Sequence, residues 1–357
     1  MIDKKINVLV VDDSAFMRKM ITDILNADPK ITVVGSARNG SEVVKKILEL
    51  KPDVVTLDIE MPICDGIEAL RLIMEKCPLP VIMLSSLTSE GGEATISALE
   101  LGAIDFIQKP TSLFKINGDT LKDEMISKVK EAVKAKITQS NLKEVRAEKT
   151  SFLFSQPNTH KINRQKTTLV AIGVSTGGPK ALQSVIPYLP ANIQASFLVV
   201  QHMPAGFTKS LANRLNTLSH INVKEATHLE AVLPGHAYIA PGGYHMAVVE
   251  GSNKQLQIHL NQDEPVSGHR PSVDVLFKSV SNLNNKNLIG VIMTGMGSDG
   301  TEGVGEIKNQ VNSYIIAQDE ETSIVYGMPK SAVKTGKVDT IVPLHKIANE
   351  IITRVEV

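Results

Sequence analysis

The chain has 357 residues, with 38 Lys plus Arg balanced by 38 Asp plus Glu. This length exceeds that of one ordinary compact domain, so two domains are expected. A net charge of zero gives no electrostatic field for nucleic acid, and an aromatic fraction of 4% is too small for a base-stacking surface. The cysteines, Cys64 and Cys77, have neither disulfide-framework nor zinc-cluster spacing.

The sequence has no apolar run approaching the ~18 residues that a membrane span needs. Its first residues, MIDKK, lead directly into a short apolar stretch that ends at two aspartates, without a signal-peptide cleavage site. These features predict a cytoplasmic protein that does not insert into a membrane.

The N-terminal part alternates short β-branched runs with segments of helical period. This alternation predicts an α/β domain with a doubly wound, five-stranded parallel sheet, closed by a helix near 121–133. The predicted strands are 6–11, 31–35, 54–57, 81–84 and 103–107.

The apolar periodicity fades between 136 and 166, where Gln, Asn, Ser, Thr and an excess of basic residues replace it. Such a composition is typical of a solvated linker. The predicted organisation is therefore a first domain at 1–135, a linker at 136–166 and a second domain at 167–357.

The C-terminal part again alternates strands and helices. It predicts a doubly wound α/β domain with a hairpin insertion near its middle. The predicted strands are 169–174, 197–200, 237–240, 246–249, 288–293 and 314–317, with helices from 179, over 274–280 and over 346–352.

Charged and hydroxyl side chains follow four strands of the first domain. Asp12 and Asp13 follow the first strand, Asp58 the third, Ser85 the fourth and Lys109 the fifth. Taken singly, these residues have simpler explanations as a helix N-cap, a surface lysine or a strand-end hydroxyl. Together they meet at one edge of a parallel sheet, where clustered carboxylates favour Mg²⁺ and a phosphoryl group.

Three blocks of this domain, VVDDS (10–14), LDIEMP (57–62) and DFIQKP (105–110), resemble the signatures of response-regulator receiver domains. The resemblance covers residues 1 to about 130 and implies a flavodoxin-like fold that is phosphorylated at Asp58. It implies that Asp13 and Asp58 hold Mg²⁺, with Asp12 assisting through water and Glu60 offering a backbone ligand.

The same resemblance assigns the switch that reads the phosphate. Ser85 matches the switch hydroxyl, and Lys109 matches the lysine that pairs with the phosphate. Phe106 occupies the aromatic switch position, where many receivers have Tyr, so the hydroxyl bond of that Tyr is missing here.

A glycine-rich turn with the pattern G-x-S-x-G places Ser175 between a strand and a helix of the second domain. A serine nucleophile needs a base and a carboxylate to orient it. His202 and Asp299 also follow predicted strands, so the three can meet at one sheet edge.

Each member of this set has an alternative. The turn can bind phosphate instead, although it lacks the G-x-G-x-x-G spacing. Asp299 can simply cap a helix that begins near Thr301. The reserve candidates for the base are His236, His245 and His269.

Five blocks of the second domain resemble the CheB family of chemotaxis protein-glutamate methylesterases: IGVSTGG (172–178), QHMP (201–204), APG (240–242), HRPSVD (269–274) and TGMGSDG (294–300). The resemblance extends from about residue 168 to the end. It implies Ser175 as nucleophile, His202 as general base and acid, and Asp299 as its orienter. It further implies the Met296 backbone N–H in the oxyanion hole and, more weakly, Arg270 as a substrate-side contact.

The two resemblances together imply a phosphorylation-activated hydrolase that removes methyl groups from glutamate γ-methyl esters on chemoreceptors, releases methanol, and also deamidates receptor glutamines. The implied partners are methyl-accepting chemoreceptors and a chemotaxis histidine kinase, at chemoreceptor arrays. Mg²⁺ serves the receiver, and the esterase step needs no cofactor. Two alternatives remain: a nucleotide-binding module at Gly177-Gly178, and an esterase for another substrate.

Overall fold

The computed structural model describes residues 5–86, 88–110, 119–135, 168–283 and 286–356. Within these ranges the chain forms two parallel sheets, each flanked by helices. The predicted linker, 136–166, lies outside the described residues, and the predicted domain limits therefore stay a prediction.

The first sheet has five parallel strands in the order β2-β1-β3-β4-β5. This is the strand order of the flavodoxin-like fold, which confirms the predicted fold class. The strands are β1 (Ile6–Val11), β2 (Ile31–Ala37), β3 (Val54–Asp58), β4 (Val81–Ser85) and β5 (Asp105–Gln108). The helices are α1 (Ala15–Asn26), α2 (Val43–Leu50), α3 (Gly66–Lys76), α4 (Ser89–Leu101) and α5 (Asp119–Ala132), with a 3₁₀ turn at Gly40–Glu42.

Polar caps start the helices of this domain close to the carboxyl ends of the strands. Asp65 accepts a hydrogen bond from the Glu68 N–H (2.8 Å) at the start of α3, and Thr88 accepts one from the Gly91 N–H (2.9 Å) at the start of α4. The helix N-termini therefore lie at the same edge of the sheet as the strand-end side chains.

The second sheet has seven strands in the order β14-β13-β12-β6-β7-β9-β8, all paired in parallel. A separate antiparallel hairpin of β10 and β11 is the predicted insertion. The strands are β6 (Thr168–Val174), β7 (Ala195–Gln201), β8 (Asn222–Glu225), β9 (His236–Ile239), β10 (His245–Glu250), β11 (Leu256–Asn261), β12 (Asn287–Ile292), β13 (Ser313–Gln318) and β14 (Thr340–Val342).

Helices cover both faces of this second sheet. They are α6 (Gly178–Gln183), α7 (Phe207–Leu218), α8 (Val273–Ser281), α9 (Thr301–Lys308), α10 (Met328–Lys334) and α11 (Leu344–Glu356), with a 3₁₀ turn at Ile186–Tyr188. The largest fully buried side chains of this domain are aromatic, namely Tyr238, Phe197, Phe207 and Phe277, and the rest of its interior is mainly aliphatic. No helix in the described part of the chain is long and apolar enough to cross a membrane.

The sequence pattern missed the edge strands β8 and β14, which have no continuous apolar run. Strand β8 buries only one of its four side chains, Val223, so nothing but tertiary pairing distinguishes it from a loop. The predicted strand 103–107 is displaced, because β5 begins at Asp105 and ends at Gln108.

The two domains contact each other through α4, β5 and α5 of the first and the strand-end loops and α7 of the second. The rings of Phe106 and Phe207 lie 4.6 Å apart between their centroids. A Cβ on Gly92 of α4 would lie 2.7 Å from Ser210 Oγ of α7, so these two helices are in close contact. The carboxyl edge of the second sheet therefore faces the first domain.

Candidate phosphoacceptor site and hydrolase active site

Three carboxylates meet at the carboxyl edge of the first sheet. Asp12 and Asp13 follow β1, Asp58 ends β3, and each offers an oxygen within 4.8 Å of the other two. The Asp12 and Asp58 side chains are buried, whereas Asp13 is exposed. The structure thus brings the three predicted acids together.

Lys109 supplies a positive charge to this cluster from the end of β5. Its Nζ lies 2.7 Å from Asp58 Oδ2 and 3.0 Å from Asp12 Oδ2. Burial opposes its charge, but the hydrogen bond and charge of Asp58, together with Asp12, raise the Lys109 pKa above its ordinary value. Burial also raises the pKa of the Asp58 carboxyl to about 6, against the effect of Lys109. The carboxylate charge is therefore only partly compensated.

The donor set at this edge fits a hard divalent cation. Carboxylate oxygens are the ligands that Mg²⁺ prefers, and one ammonium group faces three carboxyl groups. The Glu60 backbone N–H donates to Asp58 Oδ1 (3.2 Å). This bond holds Glu60, which is predicted to offer a backbone ligand, close to the three carboxylates.

The predicted switch residues connect this cluster to α4 and to the second domain. Ser85 Oγ donates to Gly91 O (3.2 Å) and accepts a hydrogen bond from Thr95 Oγ1 (2.7 Å), so it is engaged with α4. Phe106 is buried, and its ring contacts Phe207 of the second domain. Thr95 was not predicted, because its role depends on how α4 packs against β4.

In the second domain, strand register places Ser175 beside His202. The preceding residues, Val174 of β6 and Gln201 of β7, are paired in the sheet, and the His202 N–H donates to Val174 O (3.1 Å). The Ser175 N–H donates to Thr294 O (3.0 Å) at the end of β12. The three strands that carry the predicted triad are thus neighbours.

The turn after Ser175 is packed against protein atoms. Gly177 has a φ of +78°, in the left-handed region that favours glycine. A Cβ on Gly178 would overlap the Gln201 side chain, and the Gly178 N–H, a donor that a phosphate would need, donates to Ser175 O (2.7 Å). This packing argues against the phosphate-binding alternative for the turn.

Gln201 links the loop of Ser175 to the backbone of His202. Its buried side-chain amide donates to Ser175 O (3.0 Å) and to His202 O (3.1 Å). Gln201 was not predicted, and its only signal in the sequence was its position directly before His202 at a strand end.

The imidazole of His202, the predicted base, is paired with its predicted carboxylate. His202 Nε2 lies 2.7 Å from Asp299 Oδ2, and both side chains are buried. His202 Nδ1 is buried and has no hydrogen-bond partner among the described residues. The carboxylate thus contacts Nε2, whereas in the chymotrypsin-type triad it contacts Nδ1.

Asp299 does not cap the helix that begins at Thr301, because Gly300 holds the N-cap position of α9. Instead, the carboxylate lies at the N-terminus of α8, where it accepts hydrogen bonds from Ser272 Oγ (2.8 Å), Val273 N (2.7 Å) and Asp274 N (3.0 Å). Burial alone would raise the Asp299 pKa, but the His202 contact and these N–H bonds hold it well below its ordinary value. The carboxylate is therefore a fixed negative charge.

Met296, the predicted oxyanion donor, follows Gly295, which is in close contact with Ser175. A Cβ on Gly295 would lie 2.8 Å from Ser175 Cβ, and Gly295 is anchored by bonds to Val325, Gly327 and Met328. Within the described ranges the Met296 N–H donates no hydrogen bond. It remains the predicted oxyanion donor.

The remaining histidine candidates and Arg270 have other contacts. His245 bonds to the backbone through both ring nitrogens, to Ser272 N and Glu264 O, and His236 Nδ1 bonds to Pro234 O. The guanidinium of Arg270 donates to backbone oxygens of its own loop. Its predicted role toward substrate is not tested by these contacts.

Comparison with known proteins agrees with these two sites. The family model described as CheB methylesterase matches residues 170–351, and that described as response regulator receiver domain matches residues 8–118. A protein-glutamate methylesterase/protein-glutamine glutaminase of Halalkalibacterium halodurans is 49% identical over 98% of this chain and 98% of its own length. The chain belongs to the CheB methylesterase family.

Two further CheB relatives agree with this assignment. The protein of the same description from Bacillus subtilis is 49% identical and covers 97% of each chain. The crystal structure of the Thermotoga maritima CheB methylesterase catalytic domain covers 53% of this chain and 98% of its own, with 42% identity and a TM-score of 0.51. The chain is thus a methylesterase with a response-regulator receiver domain.

Proposed function

We propose that this protein removes methyl groups from glutamate γ-methyl esters on chemoreceptors and that phosphorylation of Asp58 activates it. The observation that carries the proposal is the pairing of His202 with the Asp299 carboxylate, which backbone N–H groups hold in place. The register of β6 and β7 places Ser175 beside this His202, at the sheet edge that faces the receiver domain. The homologues described as protein-glutamate methylesterases support the substrate class.

The chemistry follows from the geometry. Ser175 Oγ attacks the ester carbonyl while His202 Nδ1 takes its proton. The Met296 N–H receives the developing oxyanion. His202 then gives the proton to the departing methoxide, which leaves as methanol, and water hydrolyses the glutamyl ester on Ser175.

The same steps apply to a glutamine side chain. Ammonia replaces methanol as the leaving group, and hydrolysis of the same acyl-enzyme gives glutamate. The homologues are also described as protein-glutamine glutaminases, which supports this second activity. Both reactions use side chains and backbone alone, so the proposal assigns no cofactor to the hydrolase site.

The receiver supplies the control. Asp12, Asp13 and Asp58 would hold Mg²⁺, which when bound offsets the charge of the transferred phosphoryl group. Asp58 accepts the phosphoryl group from a chemotaxis histidine kinase, and Lys109 pairs with it.

The domain contact supports inhibition by the unphosphorylated receiver. Thr176, the neighbour of the nucleophile, donates its hydroxyl to Asp105 Oδ2 of β5 at 2.6 Å. Ser127 of α5 contacts Met296 Sδ at 3.5 Å. Two receiver elements thus contact the residues that flank Ser175 and the oxyanion donor, in the space a receptor helix must enter.

Phosphorylation is proposed to weaken this contact through α4. Ser85 leaves Gly91 O and Thr95 to bind the phosphoryl group, and α4, which packs on α7, moves with them. Phe106, held between Lys128 and Phe207, shifts with β5. The proposed site of action is the cytoplasmic chemoreceptor array.

The test is methanol release from methylated receptor membranes, with and without acetyl phosphate and Mg²⁺. The wild-type chain is expected to release methanol and to be stimulated by the phosphodonor, whereas Ser175→Ala is expected to release none. Full activity of Ser175→Ala would refute the nucleophile, and a wild-type chain that releases no methanol would refute the substrate.

A further inference from the structure

His269, which has no role in the triad, lies flat against the catalytic imidazole. The His202 and His269 ring centroids are 3.8 Å apart, and the ring planes differ by 9°. One face of the His202 ring is therefore covered by a second imidazole, while its Nε2 edge contacts Asp299.

The loop that carries His269 is itself held in place. His269 exchanges backbone hydrogen bonds with Val266, at 2.9 and 3.1 Å. The adjacent Arg270 closes the loop by donating to Gln262 O and Asp263 O, both at 2.9 Å. The backbone that carries the stacked ring is thus held by hydrogen bonds within its own loop.

The surroundings of His269 keep its ring neutral. The His269 pKa is lowered to about 4, chiefly by burial and also by the charges of His202 and, from α5 of the receiver, of Lys128, against the effect of Asp299. A neutral ring does not repel the positive charge that His202 acquires when it takes the serine proton.

We propose that His269 is a positioning residue for the general base: its stacked ring fixes the plane of the His202 imidazole, so that Nε2 stays on Asp299 and Nδ1 points toward Ser175. The stack restrains rotation about the His202 side-chain bonds that the Nε2 contact alone leaves free. Misplacement of a catalytic group by about 1 Å costs up to about 100-fold in rate. This inference rests on the proposed hydrolase function.

The test compares the full-length wild type, His269→Ala and His269→Phe, all with acetyl phosphate and Mg²⁺. Diisopropyl fluorophosphate is the probe, because its reaction with Ser175 requires the His202 base but no receptor. In that reaction the Ser175 Oγ–P bond forms, the P–F bond breaks, fluoride leaves and His202 takes the proton. Methanol release from methylated receptor gives kcat and KM separately.

We expect His269→Ala to lower the inactivation rate constant and kcat by about 10-fold with KM unchanged. His269→Phe, which keeps a flat neutral ring, is expected to restore both to within about 3-fold of wild type. His259→Ala, a matched change of a histidine on β11, is expected to match wild type.

Two results would overturn the proposal: wild-type rates in His269→Ala, or a His269→Phe variant no faster than His269→Ala. The thermal unfolding midpoint of each full-length variant serves as the check that the hydrolase domain is folded. If the wild type reacts with the fluorophosphate but releases no methanol, the receptor substrate is wrong while the comparison of His269 variants still stands.

Discussion

The two sites of this molecule each centre on a buried carboxylate at the carboxyl edge of a parallel sheet, yet the two carboxylates differ in charge balance. Asp58 has a pKa raised to about 6, whereas the Asp299 pKa is held well below its ordinary value. Both groups are buried, so burial does not explain the difference.

The hydrogen-bond donors around each carboxylate explain it. Asp299 accepts from one hydroxyl, two backbone N–H groups at the start of α8 and the His202 imidazole. Asp58 has one backbone N–H, from Glu60, and an ammonium that it shares with Asp12. The receiver edge is therefore the one that we propose to be completed by a cation and a phosphoryl group, while the Asp299 carboxylate already has its donors.

The largest expected effect comes from removing the fixed charge. Asp299→Asn keeps the shape of the side chain but places an amide NH₂ among N–H donors and removes the charge that stabilises the His202 imidazolium. We expect kcat for methanol release to fall on the order of 10³- to 10⁴-fold.

Asp339→Asn provides the matched control, because this carboxylate pairs with Lys308 and the Ile315 N–H away from the triad. It is expected to keep the wild-type kcat. A loss below about 10-fold in Asp299→Asn would contradict the role of the fixed charge.

The next largest effect is expected at Asp58, the proposed phosphoacceptor of the receiver. Asp58→Asn removes the phosphoacceptor, so the ratio of methanol release with and without acetyl phosphate and Mg²⁺ is expected to fall to about one. Asp23→Asn, which removes an exposed carboxylate on α1 beside Lys19, is expected to leave the wild-type ratio. Stimulation that persists in Asp58→Asn would place the phosphoacceptor elsewhere.

Much of this contrast was predictable from sequence. Parallel topology brings strand ends to one edge, so Asp12, Asp58, Ser175 and His202 were expected to meet in two groups. The short-range pattern also predicted the hairpin insertion. These features depend on residues near each other in the sequence.

The remaining features depend on tertiary packing. Asp299 had an equally simple local explanation as a cap for α9, and only the approach of α8 shows that it accepts from Val273 instead. The use of His202 Nε2 and the stacking of His269 likewise depend on loops that meet in space. The hydrophobic periodicity of the sequence does not predict contacts between such loops.

A smaller effect tests the link between the two sites. Asp105 accepts from Thr176 across the domain contact and pairs with Lys128 at 3.2 Å. Hydrogen bonds to charged groups contribute about 1.5–3 kcal/mol. Asp105→Asn keeps an acceptor but loses the charge, so we expect methanol release without a phosphodonor to rise about 3- to 10-fold.

Asp28→Asn serves as the control for this change, because Asp28 pairs with Lys130 within the receiver at 2.6 Å. It is expected to keep the low unphosphorylated activity. If Asp105→Asn released methanol no faster than the wild type in the absence of a phosphodonor, the receiver would have to inhibit through a different contact.

The smallest expected effect is at the exposed edge of the same contact. Arg214 of α7 binds Glu100 of α4 through Nε (2.7 Å) and Nη2 (3.0 Å). Exposed ion pairs contribute about 0.2–1 kcal/mol. Arg214→Gln is therefore expected to raise unphosphorylated activity less than about threefold, whereas Arg354→Gln, which breaks an exposed pair with Glu350 on α11, leaves it unchanged.

The salt dependence of unphosphorylated activity distinguishes the Arg214–Glu100 ion pair from the Asp105–Thr176 contact. Raising NaCl from about 0.05 to 0.5 M screens exposed charges, so the difference between wild type and Arg214→Gln is expected to vanish. The Asp105→Asn difference is expected to persist, because the Thr176 and Lys128 side chains around it are mostly shielded from solvent. If salt removed both differences equally, exposed charge rather than the Thr176 contact would hold the receiver over Ser175.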